Sequence, residues 1–123
     1  MLISIDQKSG VPLYRQIIES VKFAIARGAV SAGDKLPTVR QLAVDLEVNP
    51  NTVIRAYREM ELGGVLDTQQ GSGTFVTSHR PEVDALERGR MLDQILTELL
   101  ARASSYGFTL EEVLDGLRQL EEE

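Results

Sequence analysis

The chain contains no cysteine, no tryptophan and a single histidine in 123 residues. Without thiols it has no disulfides and no thiolate metal ligands, and a reducing compartment is compatible with it. The lone histidine, His79, lacks partner carboxylates or thiols and reads as solvated linker rather than a metal site. Aromatic residues amount to only 5%, although a hydrophobic content of 42% still permits a real core. No apolar run approaches the roughly 18–20 residues a membrane span needs. The amino terminus lacks the basic-then-apolar pattern of a secretion signal. A soluble cytoplasmic protein with no membrane role is the expectation. No nucleophile–base pair, no paired catalytic carboxylates and no phosphate-cradling glycine loop can be assembled either. Gly71-Ser72-Gly73 is too short for such a loop and follows a strand with no helix behind it. Neither enzyme nor cofactor is expected.

What the chain does have is an uneven charge. The net charge is −6, yet residues 1–80 hold 9 Lys+Arg against 8 Asp+Glu, and residues 81–123 hold 4 against 11. The acidic excess therefore sits in the carboxy-terminal third, which suggests two segments with different duties. Phosphate binding depends on local basic patches, so the overall sign does not exclude a nucleic-acid partner.

Leu36 to Gly64 contains two helix starts about a dozen residues apart. Thr38 followed by Gln41 is a capping-box pattern, and Val39, Leu42, Ala43 and Leu46 then fall on one helical face. Asn49 is a suitable N-cap and Pro50 a suitable first helical residue. Val53, Ala56, Tyr57 and Met60 continue the helical spacing until Gly63-Gly64 ends it. Glu47-Val48 is too brief a joint for antiparallel helices. The pattern predicts a helix-turn-helix, whose second helix can enter a DNA major groove.

Before this motif, Met1 to Asp6 alternates as a short edge strand would, and Gln7 to Gly10 is turn-like. Pro12 is placed as the first residue of a core helix striped by Leu13, Ile17, Val21, Ala24 and Ile25 and ending near Gly28. Ser31 to Pro37 is a loop. After the motif, 65–68 and 74–77 read as strands around Gln69 to Gly73, a hairpin. That order makes a winged helix, with the hairpin as wing. Ser78 to Pro81 is a hinge. Beyond it, Ala85, Leu86, Leu92, Ile95, Leu96, Leu99, Leu100 and Ala103 stripe a long helix. Tyr106-Gly107-Phe108 breaks it. Thr109 with Glu112 caps a last helix carrying Leu110, Val113, Leu114, Leu117 and Leu120 on one side. Two such helices do not bury both apolar faces in a hairpin alone, and pairing with a second copy would.

The expected fold is mainly α. Residues 1–78 form a winged helix-turn-helix DNA-binding domain of three helices and a β-hairpin wing, and residues 79–123 form a two-helix dimerisation tail. The expected partners are double-stranded DNA and a second copy of the chain. A small apolar pocket between tail and winged helix would suit an unidentified small-molecule effector.

Four stretches carry a resemblance: P-L-Y-R-Q-I (Pro12 to Ile17), G-D-K-L-P-T-V-R-Q-L-A (Gly33 to Ala43), N-T-V-I-R-A-Y-R-E-M-E (Asn51 to Glu61) and G-S-G-T-F-V (Gly71 to Val76). In order and spacing they resemble the GntR family of bacterial transcription regulators over roughly residues 11–77. Most members carry a large effector domain after the winged helix; here only 43 residues follow Arg80. The short helical tail, together with Asn49-Pro50-Asn51-Thr52, is similar to the YtrA subfamily. That resemblance implies a dimer held by the tail, and commonly repression of an operon that includes the regulator and transporter genes of the ABC type. Two positions depart from the family pattern. Pro50 stands where many relatives have a guanine-reading arginine, and Gln69 and Gln70 stand where many have a basic wing residue. Both bear on operator sequence and on affinity.

The candidate DNA contacts follow. The resemblance implies DNA contact for Arg40, in the first turn of the first motif helix. Thr38 is a donor to phosphate or simply a cap, and Asn49 is first a cap, with contact to phosphate as its second reading. Asn51 and Thr52 open the recognition helix, where asparagine suits adenine and threonine a phosphate or a thymine methyl. Arg55 is an outward cation for backbone or guanine, and Arg58 extends the same stripe. Gln70, Gly71 and Ser72 form the wing tip, where glycine allows close approach and glutamine reads minor-groove acceptors. Tyr14, Tyr57 and Phe75 are assigned to packing rather than base stacking. A competing reading makes the winged helix a protein-interaction module with the acidic tail as its docking surface; outward Arg40, Arg55 and Arg58 argue against it.

Overall fold

The computed structural model describes residues 3–78 and 83–122. Their elements run α1 (Leu13–Ala26), α2 (Val39–Leu46), α3 (Pro50–Leu62), β1 (Leu66–Gln69), β2 (Gly73–Val76), α4 (Ala85–Ser105) and α5 (Leu110–Glu122). The chain divides into two compact units, Met1–His79 and Arg80–Glu123.

In the first unit α1 and α2 both pack on α3. The aliphatic stripes predicted from spacing meet in one core: Ile17, Val21 and Ala24 from α1, Leu42 and Ala43 from α2, and Val53, Ala56, Tyr57 and Met60 from α3. Leu66 and Val76 close it from the hairpin. Pro12 lies one residue outside α1 rather than in its first turn. Its ψ of 140° is extended, and its carbonyl accepts from the N–H groups of Arg15 and Gln16. The edge strand expected at 1–6 does not form over residues 3–6, and Met1 and Leu2 lie outside the described residues. Those backbone donors bond to α1 side chains instead of a strand: Ser4 N–H reaches Ser20 Oγ at 3.2 Å, and Asp6 N–H reaches Gln16 Oε1 at 2.7 Å.

The capping box of α2 is complete. Gln41 N–H donates to Thr38 Oγ1 and Thr38 N–H donates to Gln41 Oε1, both at 3.1 Å. The joint to α3 turns on Glu47, whose φ of 56° puts an L residue in the left-handed region. Its N–H bonds to the Val44 carbonyl and that of Val48 to Ala43, the paired bonds that end a helix sharply. Three residues, Glu47 to Asn49, therefore redirect the chain between helices. Asn49 then caps α3, its Oδ1 accepting from Asn51 N–H at 2.8 Å with Pro50 at the first position.

The hairpin pairs antiparallel in the register Leu66↔Val76 to Gln69↔Gly73, one residue later at Val65 and one earlier at Gly73 than the sequence pattern suggests. Val65 makes only half of the next pair: its carbonyl accepts from Thr77 N–H, while its own N–H is used by the Met60 carbonyl at the end of α3. A further pairing was not visible in the sequence: the loop 33–36 runs along β2. Gly33 N–H donates to Val76 O, Val76 N–H to Asp34 O and Leu36 N–H to Thr74 O, and Lys35 forms a bridge with Phe75. The wing is thus held by the loop before α2 as well as by its own two strands. At its base Thr77 Oγ1 donates to the Gly64 carbonyl, and Thr68 Oγ1 donates to Glu61 Oε1 of α3 at 2.7 Å.

In the second unit, Asp84 caps α4 by accepting from Glu87 N–H at 2.8 Å. The helix ends where expected, with Gly107 at φ 82° and Phe108 N–H returning to Ala103 O. The Thr109–Glu112 box opens α5 through reciprocal bonds of 3.1 and 3.2 Å. No side chain of α4 or α5 is buried. Leu92, Ile95, Leu96, Leu99 and Leu100 of α4, and Leu110, Leu117 and Leu120 of α5, are all exposed. Among the described residues no helix is long and apolar enough to cross a membrane.

Candidate nucleic-acid interface

Because Val53, Ala56, Tyr57 and Met60 commit one side of α3 to the core, the opposite side must carry Asn51, Ile54, Arg55 and Arg58. All four are exposed, and Thr52 is half-buried. Tyr57 fixes the depth of this helix. It is only 3% exposed, its hydroxyl donates to the Pro37 carbonyl at 2.7 Å, and burial pushes its pKa up to about 12. The centre of α3 is thereby tied to the residue preceding the α2 cap.

Arg40 is exposed on α2 and lines an open depression with Pro37, Gln41, Val44 and Asp45. Thr38 is exposed, but its oxygen already accepts from Gln41, and Asn49 Oδ1 is likewise taken by Asn51 N–H. A threonine hydroxyl keeps its own proton to donate, and an asparagine amide keeps its NH2. Capping and contact are therefore compatible at both positions. Gln70, Gly71 and Ser72 are exposed at the hairpin tip, with Gly71 at φ 83° and Ser72 N–H closing the turn on Gln69 O. Arg55 is the most constrained of the cations. Its Cζ lies 3.7 Å from the centre of the Tyr14 ring, and its Nε lies 3.7 Å from Glu59 Oε1.

Three residues on this surface escape a reading of the sequence by motif. Ile54 is 39% exposed in the middle of the outward face of α3; its signal is an apolar residue off the core stripe. Lys35 reaches the wing from the loop before α2: a Cβ built on Gly73 would lie 2.6 Å from Lys35 Cε. A lysine therefore lies against a hairpin whose own turn has none. Tyr14 touches Arg55 across 41 residues of chain, a contact with no local signal. No group of three or more His, Cys, Asp or Glu among the described residues is arranged to hold a metal ion.

A short joint between two helices, an exposed polar and cationic face on the second, and a hairpin beside them define a winged helix-turn-helix regulator. The family described as bacterial regulatory proteins, gntR family, matches residues 13–76. Two regulators of Bacillus subtilis align nearly end to end. The uncharacterized HTH-type transcriptional regulator YhcF is 36% identical over 94% of this chain and 94% of its own. The HTH-type transcriptional repressor YtrA is 34% identical over 97% of this chain and 92% of its own. Among solved structures, the GntR-family transcription factor YtrA from Sulfolobus acidocaldarius superposes with a TM-score of 0.63 at 35% identity, covering 82% of this chain and 99% of that one. The AraR DNA-binding domain in complex with operator ORX1 superposes with a TM-score of 0.54 at 29% identity, covering 59% of this chain and 90% of that one. The chain belongs to the GntR family of bacterial transcription regulators and, within it, to the YtrA subfamily. It is a DNA-binding regulator and not an enzyme.

Proposed function

We propose that the chain is a dimeric, operator-specific repressor of its own operon and of ABC-type transporter genes, with residues 1–78 binding DNA and 79–123 holding the dimer. The observation that carries the DNA half is the division of α3. Its core stripe is buried, and Asn51, Arg55 and Arg58 stand exposed with Ile54 on the opposite face.

In this reading Asn51 reaches a base edge and Ile54 packs on a thymine methyl. Thr52, Arg55 and Arg58 flank them. Arg40, Thr38 and Asn49 hold phosphates, and Gln70, Gly71 and Ser72 approach the neighbouring minor groove. Lys35, against Gly73, supplies the wing cation that Gln69 and Gln70 do not.

The dimer half rests on the exposed apolar faces of α4 and α5, too large to leave in water. Repression is carried over from the similarity to the repressor YtrA. A cavity of about 340 Å3, lined by Val21, Ala24, Val30, Leu36 and Pro37 among others, lies within the first unit and would fit a small effector, a different place from the pocket between tail and winged helix that the sequence suggests. A footprint on the region upstream of the chain's own gene tests the proposal. It should cover a near-palindrome whose half-sites are about one helical turn, or a small multiple, apart. A single asymmetric half-site at saturating protein would contradict it.

A further inference from the structure

The stacked pair Tyr14–Arg55 joins α1 to the outward face of α3. Arg55 remains an exposed side chain, with 61% of its surface open, so burial does not explain its geometry. Its Cζ stands 3.7 Å from the Tyr14 ring centre, close enough for the guanidinium plane to lie on the ring face. Its Nε faces Glu59 one turn further along α3. These contacts engage one face and the Nε corner of the guanidinium. Among the described residues no other partner engages it, so both Nη groups are left for a ligand. Arg55 also lies on the side of the outward face of α3 that meets α1 through Tyr14. On a helix lying in a groove, the edge of that face meets a sugar-phosphate strand.

We propose that Tyr14 is a positioning residue for DNA binding. Its ring holds the Arg55 guanidinium in the orientation in which the two Nη groups receive a backbone phosphate. The proposal rests on the DNA interface described above and adds a component from outside the helix-turn-helix. A free arginine loses much rotamer freedom when it binds a phosphate, whereas one already stacked loses less. Glu59 contributes by fixing the Nε end, and the phosphate takes the other. Tyrosine is suited to this place because its ring face attracts a cation while its edge still packs at the start of α1.

The test uses the full chain and random-sequence duplex, because a phosphate contact is independent of sequence. Tyr14→Leu should weaken binding about two- to fivefold, the range of an exposed cation–π contact. Tyr14→Phe should bind as the parent does. Arg55→Ala should weaken binding further and lower the salt slope by about one unit. Adding Tyr14→Leu to Arg55→Ala should change nothing more. Arg55→Lys keeps the charge without the planar stack, so it should reproduce the Tyr14→Leu loss with the slope intact, leaving α1 untouched. Without DNA, the Arg55 Nε–H and Cδ protons should show ring-current shifts in the parent and in Tyr14→Phe that vanish in Tyr14→Leu. The proposal is overturned if those shifts are absent from the parent, if Tyr14→Leu binds as well as the parent, or if it weakens binding equally in the Arg55→Ala background. If Arg55→Ala leaves affinity and slope unchanged while Arg40→Ala lowers both, the clamp fails and the interface stands. If no substitution on α2 or α3 affects binding, the interface itself is wrong.

Discussion

The hydroxyl of Tyr57, in the middle of α3, donates to the carbonyl of Pro37, the residue before the α2 cap, at 2.7 Å. One part-buried hydrogen bond therefore fixes α3 against the start of the helix that precedes it. Tyr57→Phe keeps the ring and removes the donor, leaving a partly buried carbonyl without its partner. A loss of about 1–2 kcal/mol in urea unfolding is expected.

The same phenol gives a pH signature. Burial raises its pKa from 10.0 to about 12. Below pH 10 it is neutral in both folded and unfolded chains, and its contribution is complete. Between 10 and 12 the unfolded chain ionises first, so stability drains away as pH rises through that window. The parent should lose more stability than Tyr57→Phe between pH 9 and pH 11.5. Parallel losses in the two proteins would contradict the assignment.

Glu47 holds the turn between α2 and α3 at φ 56°. A left-handed residue with a Cβ costs about 1–2 kcal/mol, and glycine escapes that cost while adding entropy to the unfolded chain. Glu47→Gly should therefore be neutral or stabilising by up to about 1 kcal/mol. Glu47→Val, β-branched at positive φ, should destabilise by about 1–2 kcal/mol. Thermal melts of the two variants should move in opposite directions or leave only the valine variant shifted. An equal drop in both would mean that the turn takes another conformation.

The helices were legible because their caps and stripes are local. Thr38 with Gln41, Asn49 with Pro50, and Thr109 with Glu112 each specify a helix start within four residues, and all three form as the spacing suggests. Pairings that depend on a distant partner were not legible. Residues 3–6 alternate like a strand, but Ser20 and Gln16 capture their donors. Gly33 to Leu36 reads as plain loop, yet β2 gives it a ladder. The outward face of α3 could be outlined from its core stripe by subtraction, whereas Tyr14 beside Arg55 and Lys35 against Gly73 exist only once the chain is folded.

For the dimer, the exposed faces of α4 and α5 set the experiment. Leu96 and Leu117 are 42% and 47% exposed in the single chain, and a partner copy would bury them. Leu96→Glu or Leu117→Glu should weaken association by several kcal/mol, since each would bury an unpaired carboxylate. Sedimentation should find a dimer for the parent at micromolar protein and a monomer of about 13.6 kDa for the variants. A parent that sediments only as a compact monomer would sink the dimer.

Base reading and backbone holding should separate between Asn51 and Arg40. Asn51 opens α3 with its N–H tied back to Asn49, so its exposed amide is free to meet a base. Arg40 stands on α2, in the helix that crosses the backbone in a helix-turn-helix. Asn51→Ala should cost about 1–3 kcal/mol on the specific operator and relax one base position, because asparagine pairs with adenine through two hydrogen bonds. Arg40→Ala should weaken operator and random duplex alike and lower the salt slope by about one unit, as one fewer counterion is released. Neither side chain is buried, so both variants should keep the parent's far-ultraviolet circular dichroism. A folded Asn51→Ala that binds the operator as tightly as the parent across a full salt titration removes Asn51 from the reading face. An Arg40→Ala with unchanged slope and altered base preference makes Arg40 a base reader and reverses the division between the two helices.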